Sequence, residues 1–248
     1  MKVLLSPAKK LDFSKSTIID SEKNYIFPLK TEKLKNVLKT FSVKKFGELM
    51  KLSPQLSDLN YQRFQLMGSE LNEKSHAGFA FNGEVYSGLD IESFSENDLK
   101  EAEGKLRILS GLYGVLTPST LIEPYRLEMG TKLVVEGNKN LYDFWGDDII
   151  DFLQNEEKEV IINLASNEYN KAAKLKKFDG TVITPIFKEF KNGNYKVIMV
   201  YAKRARGMMA QWIIKNRIEK YNEVKNFTLG GYVFSEELSS EDEWVFTR

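Results

Sequence analysis

The run EVIINLAS, residues 159–166, limits the fold of this chain more than any other segment. Its apolar residues follow one another without alternation, so it reads as a strongly buried strand, and NEYNKAAKLKK behind it reads as the helix that follows. KVLLS near the start is a second, shorter buried strand, closed by a Ser-Pro break. TVITPIF and YKVIMVYA read as two more strands, joined by a turn at Asn192-Gly193-Asn194. GGYVFS and WVFTR close the chain as a pair of short strands around the acidic stretch SEELSSEDEW. LRILSGLYGVL fits either a strand and turn or a strand entering a short helix, and AGFAFNGEVYSG alternates and then turns at Asn82-Gly83. Strand–turn–strand pairs beside strand–helix alternation argue against a purely parallel sheet. The expected fold is therefore α/β (α+β), a single domain over residues 1–248 with a mixed sheet and peripheral helices.

Helical signals gather early. TEKLKNVLKTF carries Thr31 as an N-cap type residue. SVKKFGELMKL sets Val43, Phe46, Leu49 and Met50 on one face, and PQLSDLNYQRFQLM sets Leu56, Leu59, Phe64 and Met67 on one face. Residues 31–67 thus form a helical subregion, broken at Ser53-Pro54. Further on, SENDLKEAEGK opens with a capping box from Ser95 to Asp98, and LYDFWGDDIIDFLQ reads as one helix.

Charge decides which functions remain open. The formal net charge is only +1, which excludes a polycation binding nucleic acid through bulk charge; positive charge has to be concentrated locally. With no cysteine, disulfides and thiolate chemistry are excluded, and a reducing compartment fits. The apolar run Val3, Leu4, Leu5 is too short for a signal peptide, and no run approaches a membrane span. The chain is expected to be cytoplasmic and monomeric, with no cofactor, metal or membrane partner.

The stretch VYAKRARGMMAQWIIKNR places Lys203, Arg204 and Arg206 in the expected first turn of a helix, where the dipole disfavours cations. An anion bound there removes the conflict, and Arg206 suits bidentate contact with phosphate; cations facing water are the simpler alternative. Other polar groups leave strand ends, where open α/β sheets build sites: Ser6 and Lys9 in SPAKK, and Asn163 and Ser166 in NLAS, Ser166 also reading as a simple cap. Arg126 and Glu128 in PYRLEMG share a face if extended, as site residues or as a structural ion pair. His76 is the only histidine, so zinc motifs are absent and a serine triad would depend on it. Asp147 and Asp151 share a helix face in the expected helix, more in keeping with a solvated first turn than with Mg²⁺. The helices around Ser53-Pro54 have a helix-hairpin-helix outline, flanked by Lys44, Lys45, Lys51 and Arg63. Such a hairpin contacts DNA backbone independently of base sequence, although this turn lacks glycine.

The motifs LLSPAKKLDF, LRILSGLYGVLTPSTLIEPYRLEMG, LYDFWGD, INLASNEY, YAKRARGMM and GYVFSEE…WVFTR together resemble the YaaA family of bacterial peroxide-stress proteins over nearly the whole chain. The resemblance implies a single-domain α/β fold with a positively charged cleft and protection from hydrogen peroxide through lower free iron and less DNA damage. It also implies binding of double-stranded or distorted DNA. Carried over by motif, the cleft candidates are Ser6, Lys9, Arg126, Glu128, Asn163, Ser166, Lys203 and Arg206. Two functions stay open: a DNA-binding protective protein that limits iron-dependent damage indirectly, or an enzyme acting on a nucleotide-like or phosphate-bearing small molecule, with Glu128 and Ser6 as candidate catalytic groups.

Overall fold

A computed structural model describes residues 1–15 and 23–248; residues 16–22, in the segment between KVLLS and the first expected helix, lie outside it. The main sheet has eight strands: β1 (Lys2–Leu5), β2 (Leu106–Ser110), β3 (Gly114–Leu116), β4 (Val160–Asn163), β5 (Thr181–Lys191), β6 (Asn194–Lys196), β7 (Val233–Ser235) and β8 (Glu243–Thr247). Their order is β7-β8-β5-β4-β1-β2-β3, with β6 paired to β5. The five middle strands are mutually parallel. The antiparallel pairs are β2 with β3, β5 with β6, and β7 with β8. The sheet is mixed, as expected from the sequence. The two apolar runs lie side by side at its centre: β1 buries Val3, Leu4 and Leu5 completely, and all four residues of β4 are buried. Parallel strands of this kind need cover on both faces, which explains their lack of alternation.

The covering helices are α1 (Pro28–Lys39), α2 (Val43–Met50), α3 (Pro54–Leu66), α4 (Glu84–Leu89), α5 (Glu96–Lys105), α6 (Leu141–Trp145), α7 (Asp148–Glu156), α8 (Asn167–Ala173) and α9 (Met199–Lys215). Among the described residues no helix is long and apolar enough to cross a membrane. The capping box of α5 is present: Asp98 N–H donates to Ser95 Oγ at 3.2 Å, and Ser95 N–H donates to Asp98 Oδ2 at 3.0 Å. LRILSGLYGVL resolves as a strand and turn, the β2–β3 hairpin.

Several local expectations are corrected. Thr31 does not cap α1, which begins at Pro28; Thr31 is buried and donates to Leu112 O at 3.3 Å. Pro at the first position starts the helix earlier than a polar cap would. Leu56 and Leu59 do not face the core: α3 buries Ser57, Asn60 and Phe64 instead. Gly47 of α2 approaches so closely that an added Cβ would sit 2.9 Å from Ser57 Oγ, so this contact takes small groups and turns the leucines outward. Ser57 Oγ donates to Ser53 O and Asn60 Nδ2 donates to Leu56 O, both within the helix. The turn at Asn82-Gly83 leads into a helix rather than a hairpin, because Phe81–Asn82 pairs with Lys10–Leu11 and Gly83 caps α4. LYDFWGDDIIDFLQ forms two helices, since Gly146, at φ 55° and ψ −121°, ends α6. Asp147 is the N-cap of α7 and binds Lys174 and Lys177 at 2.7 and 2.8 Å, so it does not share a metal-holding face with Asp151. Those lysine hydrogen bonds pull its carboxyl down to about 2.

The largest correction concerns YKVIMVYA. Only Asn194–Lys196 is strand, and α9 begins at Met199. Valine, isoleucine and tyrosine favour strands, but the buried stripe Ala202, Ala205, Met209, Ile213 has helical spacing, and the helix it stabilises extends back to Met199. Lys203, Arg204 and Arg206 therefore sit in the second turn and beyond, and the expected dipole conflict does not exist. Helix α9 packs closely on α4: a Cβ at Gly207 would overlap Val85 O, and one at Gly88 would overlap Arg204 O. This glycine-to-backbone contact fixes the face that α9 turns to the sheet end.

Candidate functional site

Strand β1 leads to β2 on one side of it, whereas β4, on its other side, leads to β5 further out. The connections diverge between β1 and β4. In an open α/β sheet the crevice beyond the carboxyl ends of two such strands is the favoured ligand site. Here the two strands run directly into SPAKK and NLAS. Their ends are joined: Ser166 N–H donates to Ser6 Oγ at 2.8 Å, and the two hydroxyls are 3.2 Å apart. Ser166 occupies the N-cap position of α8, but its hydroxyl makes no cap bond; it faces Ser6 instead. Tyr86 of α4 donates to Ser6 O at 3.0 Å, and burial holds its phenol well above the ordinary value.

Above this floor lies a cavity of about 850 Å³ whose lining includes Lys9, Lys10, Arg126, Lys203 and Arg206. Three carboxylates, Glu84, Glu128 and Glu168, share it, which leaves two positive charges in surplus. Cations from three segments of the chain, as many as 197 residues apart in sequence, thus line one cavity. Segment 124–130 explains part of the convergence: Tyr125, Leu127 and Met129 are buried while Arg126 and Glu128 point out, as extended alternation requires. Gly111 lets the segment lie against β2's turn, since a Cβ there would strike Leu127 O.

The electrostatics divide into two halves. Glu128 Oε1 binds Lys9 Nζ at 3.1 Å and Arg126 Nη2 at 3.0 Å. Burial pushes the Glu128 carboxyl up, but the Lys9 hydrogen bond and the Arg126 charge outweigh it, so the net displacement is below the usual carboxylate range. One carboxylate thus serves two cations. In the same lining, Lys203 and Arg206 make no ion pair among the described residues. Burial lowers the Arg206 guanidinium below its ordinary value, the cost of holding an unpaired charge in a partly dry place.

A second cavity of about 690 Å³ adjoins the first through Lys9, Arg126, Glu128 and Glu168, and reaches Lys51 at the end of α2. Arg63 is half-buried; burial lowers its guanidinium, Glu73 pushes it back up and Arg126 pushes it down, the net displacement being downward. The remaining candidates lie elsewhere. Lys44 is exposed beside Glu48 at 3.9 Å, Lys45 lies over the Phe41 ring, and Arg204 is exposed away from the cavity lining. Asn163 is buried below the floor, accepting from Ala165 N–H at 3.2 Å and donating to Thr184 at 3.3 Å; it shapes the bend after β4. His76 is buried in a short strand pair far from this lining.

Sequence reading missed Glu168, Tyr86 and Lys10. Glu168 lies two residues after NLAS, and its Oε1 accepts from Gly130 N–H at 2.7 Å; its place in the first turn after a strand end was the available signal. Tyr86 had none, because only the α4–α9 contact brings it over Ser6. Among the described residues no group of three or more histidine, aspartate or glutamate side chains is placed to hold a metal ion.

Comparison with known proteins agrees with the motifs. The family model described as peroxide stress protein YaaA matches residues 1–238. A UPF0246 protein of Alteromonas mediterranea is 47% identical, covering 100% of this chain and 98% of its own length. UPF0246 proteins of Shewanella baltica and Clostridium perfringens are 45% and 46% identical, again over 100% of this chain and 99% or 100% of their own. With matches of this extent on both counts, the chain belongs to the YaaA family of peroxide stress proteins.

Proposed function

We propose that this protein protects the cell under peroxide stress by binding DNA, duplex or distorted, through phosphate contacts in the switch-point cleft and with little dependence on base sequence. Lower iron-dependent damage follows indirectly. The observation that carries this reading is that Lys203 and Arg206, which make no ion pair among the described residues, line one cavity with Lys9 and Arg126, which share a single carboxylate. A surplus of cations in a partly dry crevice favours an anionic occupant, and a phosphodiester supplies it without demanding a base contact. Lys51 extends the positive track along the adjoining cavity. The helical hairpin of α2 and α3 takes a lesser part: its second helix opens with Pro54, which has no N–H, and Ser53 Oγ already occupies Leu56 N–H at 3.4 Å. Lys44, Lys45 and Arg204 contribute through general charge alone. The test is a duplex titration across salt concentrations. The Lys203→Ala/Arg206→Ala variant is expected to weaken binding and to flatten the log–log salt slope by about two, near one unit for each lost phosphate contact. Parent-like affinity and slope in a folded variant would sink the reading.

A second reading has its own observation. The floor made by Ser6 and Ser166 lies at the strand ends, beneath a cavity of a size suited to a small ligand. There, a nucleotide-like or phosphate-bearing molecule would meet Ser6 and Glu128 as reacting groups. Thermal protection by a mononucleotide that duplex DNA fails to give, together with loss of peroxide resistance in Glu128→Gln, would favour this enzyme over the DNA clamp.

A further inference from the structure

We propose that the β5–β6 hairpin is a stacking platform for unpaired bases of the strand whose backbone the cleft holds; this deepens the nucleic-acid reading and rests on it. Strand β5 has eleven residues against four in β4. Its pairing with β4 ends at Ile183 and with β8 at Lys188. Beyond that it continues past its neighbours, paired only with β6 and touched by Arg248 O at Phe190 N–H. The hairpin therefore overhangs the carboxyl end of the sheet, where the cleft lies. The turn is two residues, Asn192 at φ 53° and Gly193 at φ 78°, values that match the right-handed twist of a tight hairpin.

Phe190 stands opposite Tyr195 in the register, with ring centroids 5.2 Å apart. Phe190 and Tyr195 are 61% and 45% exposed. By strand alternation Phe190 shares its face with Ile186, and Tyr195 leads two residues on to Val197; both Ile186 and Val197 line the cleft. The aromatic pair is thus the outward continuation of the cleft wall. Around it Lys188, Lys191 and Lys196 make no ion pair among the described residues, because the hairpin's one carboxylate, Glu189, is held by Arg248 and by Tyr232 OH. Exposed π faces bordered by unneutralised lysines suit a partner that is flat and apolar on one side and anionic on the other, which describes an unpaired strand of nucleic acid. A second copy of the hairpin is a poor partner, since a two-fold contact would set these lysines against themselves.

The experiment compares an oligothymidylate of roughly 15 nucleotides with a duplex of the same length by fluorescence anisotropy at fixed salt. Two full-length variants are used, Phe190→Ala/Tyr195→Ala and Phe190→Leu/Tyr195→Leu, the second keeping an apolar pair without a π face. Both are expected to lose single-strand affinity by about tenfold or more while duplex affinity and its salt slope stay at the parent's values. Parent-like single-strand binding by either variant overturns the proposal. So does a parent that binds duplex but not the single strand, a result that leaves the phosphate cleft standing; a parent that binds neither overturns both. A parent that sediments as a dimer and becomes monomeric in the variants, with single-strand binding unchanged, assigns the hairpin to self-association instead.

Discussion

Glu128 shows how a single side chain sets the charge of the cleft. Its carboxylate neutralises Lys9 and Arg126 together, so it competes with any anion those cations would otherwise hold. Glu128→Gln is expected to raise the affinity for inorganic phosphate or duplex about three- to tenfold, the scale of one partly screened charge contact; isothermal titration at low salt measures it, and unchanged or weaker binding would show that Glu128 positions the cations rather than masks them. The same residue contributes to acid behaviour. The net depression of its folded pKa, like that of Glu103 (where burial is outweighed by hydrogen bonds from Lys23 and the residue 117–119 turn), means that its stabilisation is complete above the unfolded carboxylate value. That contribution disappears as pH falls through the folded value. Urea midpoints are expected to be flat above roughly pH 5 and to drop below it, with a shallower drop in Glu103→Gln. At this scale the sequence was informative where alternation operates: Arg126 and Glu128 do share an outward face. It was uninformative about partners, because nothing in PYRLEMG says that Lys9 lies 3.1 Å away.

Among the elements, the α4–α9 contact does most to place the site. Gly88 and Gly207 allow the two helices to meet backbone to backbone, and α9 then carries Met199, Ala202, Lys203 and Arg206 along the cleft wall. Gly207→Ala is expected to destabilise the fold by about 1–3 kcal/mol through overpacking and to weaken anion binding by shifting that wall; urea denaturation and a phosphate titration on the same sample check both, and a neutral alanine would mean the helices separate at no cost. The elements show why some signals were legible and others were not. Long apolar runs gave β1 and β4, and local chemistry gave the α5 capping box and the Asn192-Gly193 turn, because each depends on neighbours in sequence. The start of α9 was misread because Val197 to Tyr201 suits a strand locally, while the helix is stabilised by burial of a stripe further along. The orientation of α3 was misread for a related reason: close approach to Gly47 favours serine and asparagine over leucine at the contact, and that approach is a tertiary fact.

Taken whole, the molecule carries a net charge of only +1, yet its cleft holds two cations in surplus. Binding that depends on so local an excess is expected to show a duplex salt slope of about −2 to −4, well short of that of a polycation; a slope near zero would mean that phosphate contacts do not drive association, and anisotropy titrations at several salt concentrations distinguish the two. The sequence alone determined the class of fold, the central strands and the absence of thiol chemistry, since these follow from composition and from periodicity over a few residues, and it carries the motifs by which the chain resembles its family. Only the tertiary structure decided that β1 and β4 are neighbours with diverging connections, that Ser6 meets Ser166, and that Lys9, Arg126, Lys203 and Arg206 share one cavity. Those pairings join residues as many as 197 positions apart, and they are chosen by the packing of strands and helices against one another, a free energy that no local stretch of chain contains.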